Sequence, residues 1–271
     1  MIKQAIIPLA GLGTRMLPLT SVMPKELMPI NGKPNLQYIL EECIDAGVKE
    51  FIFIISKKKL SIKKYFFNNN FYKKIIKKKK DKRLIEEFKK IKRYQKMIKF
   101  VYQNKPKGTG DAVLKCQKFI KGKHFLMLLP DDLIIRNNCS KEMIKLHKKT
   151  NGSIIATKRV ERKTVSRWGI LSIKNKKKRY FQIKDVVEKP SIKKAPSNFA
   201  IIGRYILPTK IFSEIKKLKP GQGGEIHITD AIRSLIKKEN KFYGNIFTGK
   251  YLDCGTLSGY INSGIQISKR K

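Results

Sequence analysis

Apolar residues in this chain gather into short unbroken runs, separated by stretches where they recur every three or four positions. The runs Gln4–Leu9, Glu50–Ile55, Ile98–Tyr102 and His124–Leu129 read as strands, because continuous apolar character of this length suits a strand covered on both faces. Between them, Leu36–Ala46, Thr109–Phe119 and Lys141–Thr150 carry helical spacing. Leu36, Ile39, Leu40, Cys43 and Ile44 form one such stripe, and Gly47 supplies its stop. Beyond Thr150 the pattern turns strand-rich, with runs at Ser153–Val160, Trp168–Ile173, Tyr180–Glu188 and Ala200–Ile206. Helical spacing returns at Thr209–Leu218, Ile228–Lys238 and near Ser258–Ser268. Strands alternating with helices predict an α/β protein: a Rossmann-like mixed, mainly parallel sheet flanked by helices. There is no internal repeat. The lysine-rich tract from Lys57 to Arg93 is expected to be a mobile or loosely packed insertion. The spacing of Ile62 with Phe66 and of Ile85 with Phe88 still permits amphipathic helices there.

The first strand runs into Ala10-Gly11-Leu12-Gly13-Thr14-Arg15-Met16-Leu17-Pro18, with Pro24-Lys25-Glu26 a few residues on. Glycines let backbone N–H groups approach an anion that a side chain would hold off. Arg15 and Lys25 add fixed positive charge, so the loop suits a nucleoside triphosphate. A dinucleotide fingerprint needs a third glycine where Met16 stands, and a P-loop needs Gly-Lys-Ser/Thr where Gly13-Thr14-Arg15 stands. Taken alone, the loop also reads as a glycine-rich turn carrying two solvated cations. Later segments add to it. Asp131-Asp132 follows an apolar run and places carboxylates at the carboxyl edge of a sheet, where open α/β folds bind ligands. Such hard oxygen donors suit Mg²⁺. Glu188-Lys189 closes another strand-like run, and Asp253 lies in a tight turn before Cys254-Gly255-Thr256.

The segments AGLGTRMLP, PKELMPI, KPNLQYILEECIDAG, KGTGDAV, LPDD, VVEKP, SNFAIIGRYIL, GGEIHITDAI and LDCGT, in this order, resemble the bacterial UTP–glucose-1-phosphate uridylyltransferases over nearly the whole length. The tracts Ser197–Tyr205 and Gly224–Ile232 separate that family from its thymidylyltransferase relatives. The resemblance implies the nucleotide-diphospho-sugar transferase fold as a single nucleotidyltransferase domain over residues 1–271. Residues 1–150 would form a nucleotide-binding half and 151–271 a sugar-binding half. It implies attack by glucose 1-phosphate on the α-phosphorus of UTP, without a covalent intermediate, so that the protein positions two anions and neutralises charge. Carried over by position, Arg15 would hold the departing phosphates, Lys25 the α-phosphate and Lys189 the sugar phosphate. Asp131 and Asp253 would ligate Mg²⁺. Ala10, Gly11 and Gly13 of the loop, with Gln103 and the Gly108 backbone, would hold the nucleotide, the last two reading the uracil edge. Gly169, Glu188 and Gly203 would contact glucose. Two departures are visible. Trp168 stands where relatives have Tyr, which removes a hydroxyl at the sugar side. Relatives continue past the last helix into an extension that contributes to subunit contacts, so a homo-oligomer is expected, in a different assembly.

Composition pulls another way. Lys and Arg number 62 against 20 Asp and Glu, a net charge of +42. Between Lys57 and Lys107 there are 21 Lys/Arg against 3 Asp/Glu, interleaved with Tyr65, Phe66, Phe67, Phe71 and Tyr72. That combination would suit a nucleic acid, through phosphate contacts and base stacking. However, lysine is spread over the whole chain alongside Ile and Asn, as AT-rich coding would produce, and no nucleic-acid module is recognisable. The expectation is therefore non-specific polyanion binding and no specific nucleic-acid partner. Cys43, Cys116, Cys139 and Cys254 make no metal spacing with His124, His147 or His227 and are expected as reduced thiols. No apolar run reaches the ~20 residues of a membrane span. The N-terminal apolar run is short and broken by Arg15, unlike a signal peptide, and a cytoplasmic protein is expected. A thymidylyltransferase and a basic RNA-binding protein on the same fold are the alternatives.

Overall fold

The computed structural model describes residues 2–67 and 70–269, apart from the side chains at positions 70, 71, 77 and 222. The chain begins with β1 (Gln4–Pro8) and, after the glycine loop, makes a small hairpin of β2 (Pro29–Ile30) and β3 (Lys33–Pro34). Helix α1 (Asn35–Asp45) leads to β4 (Glu50–Ile55); α2 (Leu60–Phe67), α3 (Asn70–Lys79) and α4 (Lys82–Gln95) lead to β5 (Ile98–Tyr102). Then come α5 (Thr109–Leu114), β6 (His124–Leu128), β7 (Asp132–Ile135) and α6 (Cys139–Thr150). The remainder is β8 (Ser153–Arg159), β9 (Gly169–Lys174), β10 (Tyr180–Glu188), β11 (Phe199–Pro208), α7 (Ile211–Lys217), α8 (Ile228–Lys237), β12 (Phe242–Ile246), β13 (Lys250–Asp253) and α9 (Leu257–Ser268).

Nine strands form one sheet in the order β5-β4-β1-β6-β11-β8-β12-β10-β9. Pairing is parallel from β5 through β6 and again between β12 and β8. It is antiparallel where β11 meets β6 and β8, and where β10 meets β12 and β9. The parallel character read from the sequence therefore belongs mainly to the first half. Alternate residues of the central strands go to opposite faces. Ala5, Ile7, Phe51, Phe53, Leu126 and Leu128 pack on one side with α1 and α6. Ile6, Ile52, Ile54, Phe125 and Met127 pack on the other with α5, α7 and α8. This gives helices on both faces, so strands such as β1 and β4 are apolar throughout.

The lysine-rich tract is not a loose insertion. Ile62 and Phe66 of α2 and Ile91 and Tyr94 of α4 are buried in the first core, and the Phe66 ring meets Phe53 edge-on at 5.7 Å. Asp81 caps α4 by accepting from the Leu84 N–H. Apolar residues at helical spacing are enough to dock α2 and α4, while the lysines take the opposite faces. Nor do Tyr65, Phe66 and Phe67 form a stacking platform. Phe66 is core, the Tyr65 hydroxyl donates to Gln37 Oε1 at 3.1 Å, and Phe67 packs edge-on against Phe100. The side chain of Phe71 lies outside the described residues.

A second, two-stranded sheet joins distant parts of the chain. β13 runs antiparallel to β7 with Asp253 opposite Asp132, and the Cys254 N–H donates to the Asp131 carbonyl at 2.7 Å.

Candidate active site

The carboxyl ends of β1, β5 and β6 open into a cavity of about 250 Å³. Among its walls are Ala10, Gly11, Lys25, Gln103, Gly108 and Asp131. A second cavity of about 200 Å³ lies beside it, lined among others by Arg15, Trp168, Gly169, Glu188, Gly203 and Asp253. Leu129 and Asp131 line both. Four of the five sequence-derived nucleotide residues, Ala10, Gly11, Gln103 and Gly108, thus fall in one cavity and the three sugar residues in the other, with Asp131 at their boundary. Gly13 and Lys189 belong to neither lining. Gly13 makes a turn with φ +74° whose carbonyl accepts from Thr20 Oγ1. The Lys189 ammonium stands 3.7 Å from Glu188 Oε1 and is half-exposed.

The charged centre is built around Asp131. Its Oδ2 lies 2.6 Å from Lys25 Nζ and 3.3 Å from an Arg15 nitrogen. Burial pushes the Asp131 carboxyl up, but Lys25 and Arg15 outweigh it and hold the group below its usual range. Burial likewise pulls Lys25 down, and Asp131 with Glu26 more than reverses this, so the amine stays an ammonium. Asp253 Oδ1 accepts from the Gly255 N–H at 2.8 Å. A Cβ at Gly255 would lie 2.7 Å from Asp131 Oδ2, 2.7 Å from Arg15 and 3.2 Å from Asp253 Oδ1. Both carboxylates therefore face the space that glycine leaves open. Two hard oxygen donors are what Mg²⁺ takes from a protein when phosphates complete its shell, so this donor set fits that ion.

Each wall residue has a local cause. The Glu188 carboxylate accepts from Thr229 Oγ1 at 3.0 Å, and Gly169 stands opposite Glu188 across β9 and β10. Gly203 on β11 lets Asp132 and Leu129 come against the strand, where any Cβ would strike them, and its N–H donates to Asp132 Oδ2. Asp132 also accepts from the Tyr251 hydroxyl at 2.6 Å; burial and Asp131 push its carboxyl up to about 6. Gly108 takes φ +95° with its Cα against the Ile226 backbone, a contact no side chain would allow.

Supporting residues were not apparent in the sequence. Lys59, within the lysine-rich tract, donates to both oxygens of the buried Glu26 at 2.8 Å and so ties down the segment that carries Lys25. Arg204 is fully buried and forks onto Glu42; it also donates to the carbonyls of Leu129, at 3.1 Å, and Asp132, at 2.5 Å, on either side of Asp131. Tyr251, Thr229 and Arg167 complete the second cavity, with Arg167 3.8 Å from Asp253.

The family model for nucleotidyl transferases matches residues 4–270. The chain belongs to the nucleotidyl transferase family. Within it, the chain is 37% identical to the UTP–glucose-1-phosphate uridylyltransferase of Bacillus subtilis, across 98% of this chain and 91% of that protein. The enzyme of the same name from Mycoplasma genitalium is 36% identical across 97% and 91%. The fold superposes on a UDP-glucose pyrophosphorylase crystallised with UDP-glucose, with a TM-score of 0.88 and 35% identity over all of both chains. It also superposes on a UTP-bound UGPase from Acinetobacter baumannii, with a TM-score of 0.90 and 30% identity over 100% and 95% of the two chains.

Proposed function

We propose that this chain transfers the uridylyl group of UTP to α-D-glucose 1-phosphate, forming UDP-glucose and releasing pyrophosphate. The observation that carries this reading is the pair of adjoining cavities meeting at Asp131, one walled by the glycine loop and Gln103, the other by Glu188 and Gly203. A phosphate oxygen of the sugar attacks the α-phosphorus, the bond to the bridging β-phosphate oxygen breaks, and pyrophosphate takes that electron pair. Lys25 supports charge on the α-phosphate, Arg15 holds the leaving pyrophosphate, and Lys189 holds the sugar phosphate. Glu188, fixed by Thr229, accepts from glucose hydroxyls. Asp131 and Asp253 would hold Mg²⁺, which when bound neutralises phosphate charge and aligns the two substrates.

The two halves share the work. Glu225, from the second half, lines the nucleotide cavity, and Arg15, from the first, lines the sugar cavity. We further propose a homo-oligomer, to be read by light scattering, and a cytoplasmic setting. All four cysteines are free and buried, as a reducing compartment would keep them. Among the described residues no helix is long and apolar enough to cross a membrane.

The test is pyrophosphate release from UTP and glucose 1-phosphate, with Mg²⁺ and with EDTA, and with dTTP in place of UTP. Mg²⁺-dependent turnover favouring UTP is expected. Equal or better use of dTTP would move the chain to the thymidylyltransferases, and folded protein without turnover on either donor would sink the reading.

A further inference from the structure

The nucleotide cavity contains a side chain whose orientation is forced. Gln103 follows β5, where its backbone N–H donates to the Ile55 carbonyl at 2.9 Å. Its Nε2 lies 2.6 Å from Asp111 Oδ2 and 3.2 Å from the Gly108 carbonyl oxygen. A carboxylate and a carbonyl both accept and neither donates, so the amide must turn its NH₂ toward them. The reverse orientation would set Oε1 against two acceptors. Among the described residues, Oε1 meets no donor, yet it is not sealed from solvent. Gln103 otherwise faces the cavity that Ala10, Gly11 and Lys25 line. Asp111 is held in turn, on the first turn of α5, with Lys115 Nζ 3.8 Å from its other oxygen.

We propose that Asp111 sets the choice of base, by locking Gln103 with its carbonyl oxygen presented to the nucleotide. Asp111 is a positioning residue, and the proposal rests on the uridylyl-transfer reading above. A fixed acceptor selects a base with a ring N–H at that edge. Uracil has N3–H there. Cytosine has a lone pair on N3 and would meet Oε1 acceptor to acceptor, leaving both desolvated and unpaired. Thymine shares the N3–H, so the lock rejects cytosine and leaves uracil against thymine to other contacts. With the carboxylate removed, only the longer bond to the Gly108 carbonyl, at 3.2 Å, still favours that orientation, so the amide can turn over and offer its NH₂, which suits cytosine.

The experiment compares wild type, Asp111→Leu and Asp111→Ala, both of which remove every side-chain acceptor at that position. It measures kcat and KM for UTP and CTP with glucose 1-phosphate, and Kd for both nucleotides by calorimetry. The UTP-to-CTP preference should fall by about tenfold or more in both variants, through KM and Kd with kcat little changed. If UTP and CTP weaken in parallel and the preference stays at the wild-type value, Asp111 only supports its loop and the proposal is overturned. The Leu variant, which keeps similar volume without an acceptor, decides the matter should the Ala variant fail to fold. Wild-type protein that binds UTP without turnover would count against the uridylyl-transfer reading, and the Kd ratios would still decide the lock.

Discussion

Lys25 shows how a single side chain carries charge into the site. Its ammonium is largely buried and 2.6 Å from Asp131, and the acids around it keep it protonated. Replacing it with Ala should lower kcat by about 10²–10³-fold, the usual loss when one preorganised donor to a developing oxyanion is removed. KM for UTP should move much less, which steady-state kinetics would separate; a loss confined to KM would make Lys25 a ground-state binding group. The residues proposed to do the chemistry were legible because each sits in a contiguous motif that follows or closes a strand: Arg15 and Lys25 after β1, Asp131 after β6, Glu188 at the end of β10. Lys59 and Arg204 were not. Lys59 is one of three consecutive lysines and its partner Glu26 is 33 positions away. Arg204 and Glu42 are separated by 162 positions, so only the folded chain shows that these are buried pairs.

Two junctions between elements lead to further predictions. Lys59 precedes α2, and its bond to Glu26 crosses to the segment before β2. Burial pulls Lys59 down and Glu26 only partly offsets this. Lys59→Met should therefore cost about 3–5 kcal/mol, because it leaves Glu26 buried without a partner, whereas the double variant Lys59→Met/Glu26→Gln should recover most of the loss. Urea denaturation of the full cycle measures this coupling; additive single effects would mean the pair is not one unit. At the junction of β6 and α6, the rings of His124 and His147 are 4.6 Å apart. Burial and the His147 charge hold His124 down at about 4, against an ordinary 6.5. In the unfolded chain His124 takes its proton near pH 6.5, so between there and pH 4 the unfolded state binds more protons. Stability should be complete above pH 6.5 and fall as pH drops toward 4, and His124→Gln should flatten that part of a melting-temperature profile. At this scale the long strands and most helices were readable from their spacing, whereas the fourteen-residue α4 lies largely in the tract expected to be loosely packed. β12 and β13 were not, because Gly244 and Asn245 interrupt one and the other spans four residues, and both gain their place from pairing with β8 and β7.

Over the whole molecule, the surplus of 62 basic over 20 acidic residues acts on fold and function in opposite senses. Five of the 20 acids are already held in ion pairs: Glu26 with Lys59, Glu42 with Arg204 and Asp131 with Lys25 in buried or largely buried pairs, and Asp185 with Arg233 and Glu214 with Lys238 nearer the surface. With 62 cations against 20 acids, most surface lysines have no acidic partner to take. The Debye length shrinks from about 30 Å at 10 mM salt to about 10 Å at 0.1 M, so added salt relieves repulsion between charges spaced across a helix layer. Raising NaCl from 10 mM to 0.5 M should raise the melting temperature, on the order of 5 °C for a chain of this size. The same positive field should draw in UTP and glucose 1-phosphate, so that screening it lowers kcat/KM over the same range, mainly through KM. Differential scanning fluorimetry and initial rates in matched buffers would thus give slopes of opposite sign. A melting temperature that falls with salt would mean that local ion pairs, such as Lys25–Asp131 and Lys59–Glu26, outweigh the net repulsion. A kcat/KM indifferent to salt would place the attraction for phosphate in the cations that line the two cavities, Arg15, Lys25 and Arg167, and leave the remaining cations without a part in substrate capture.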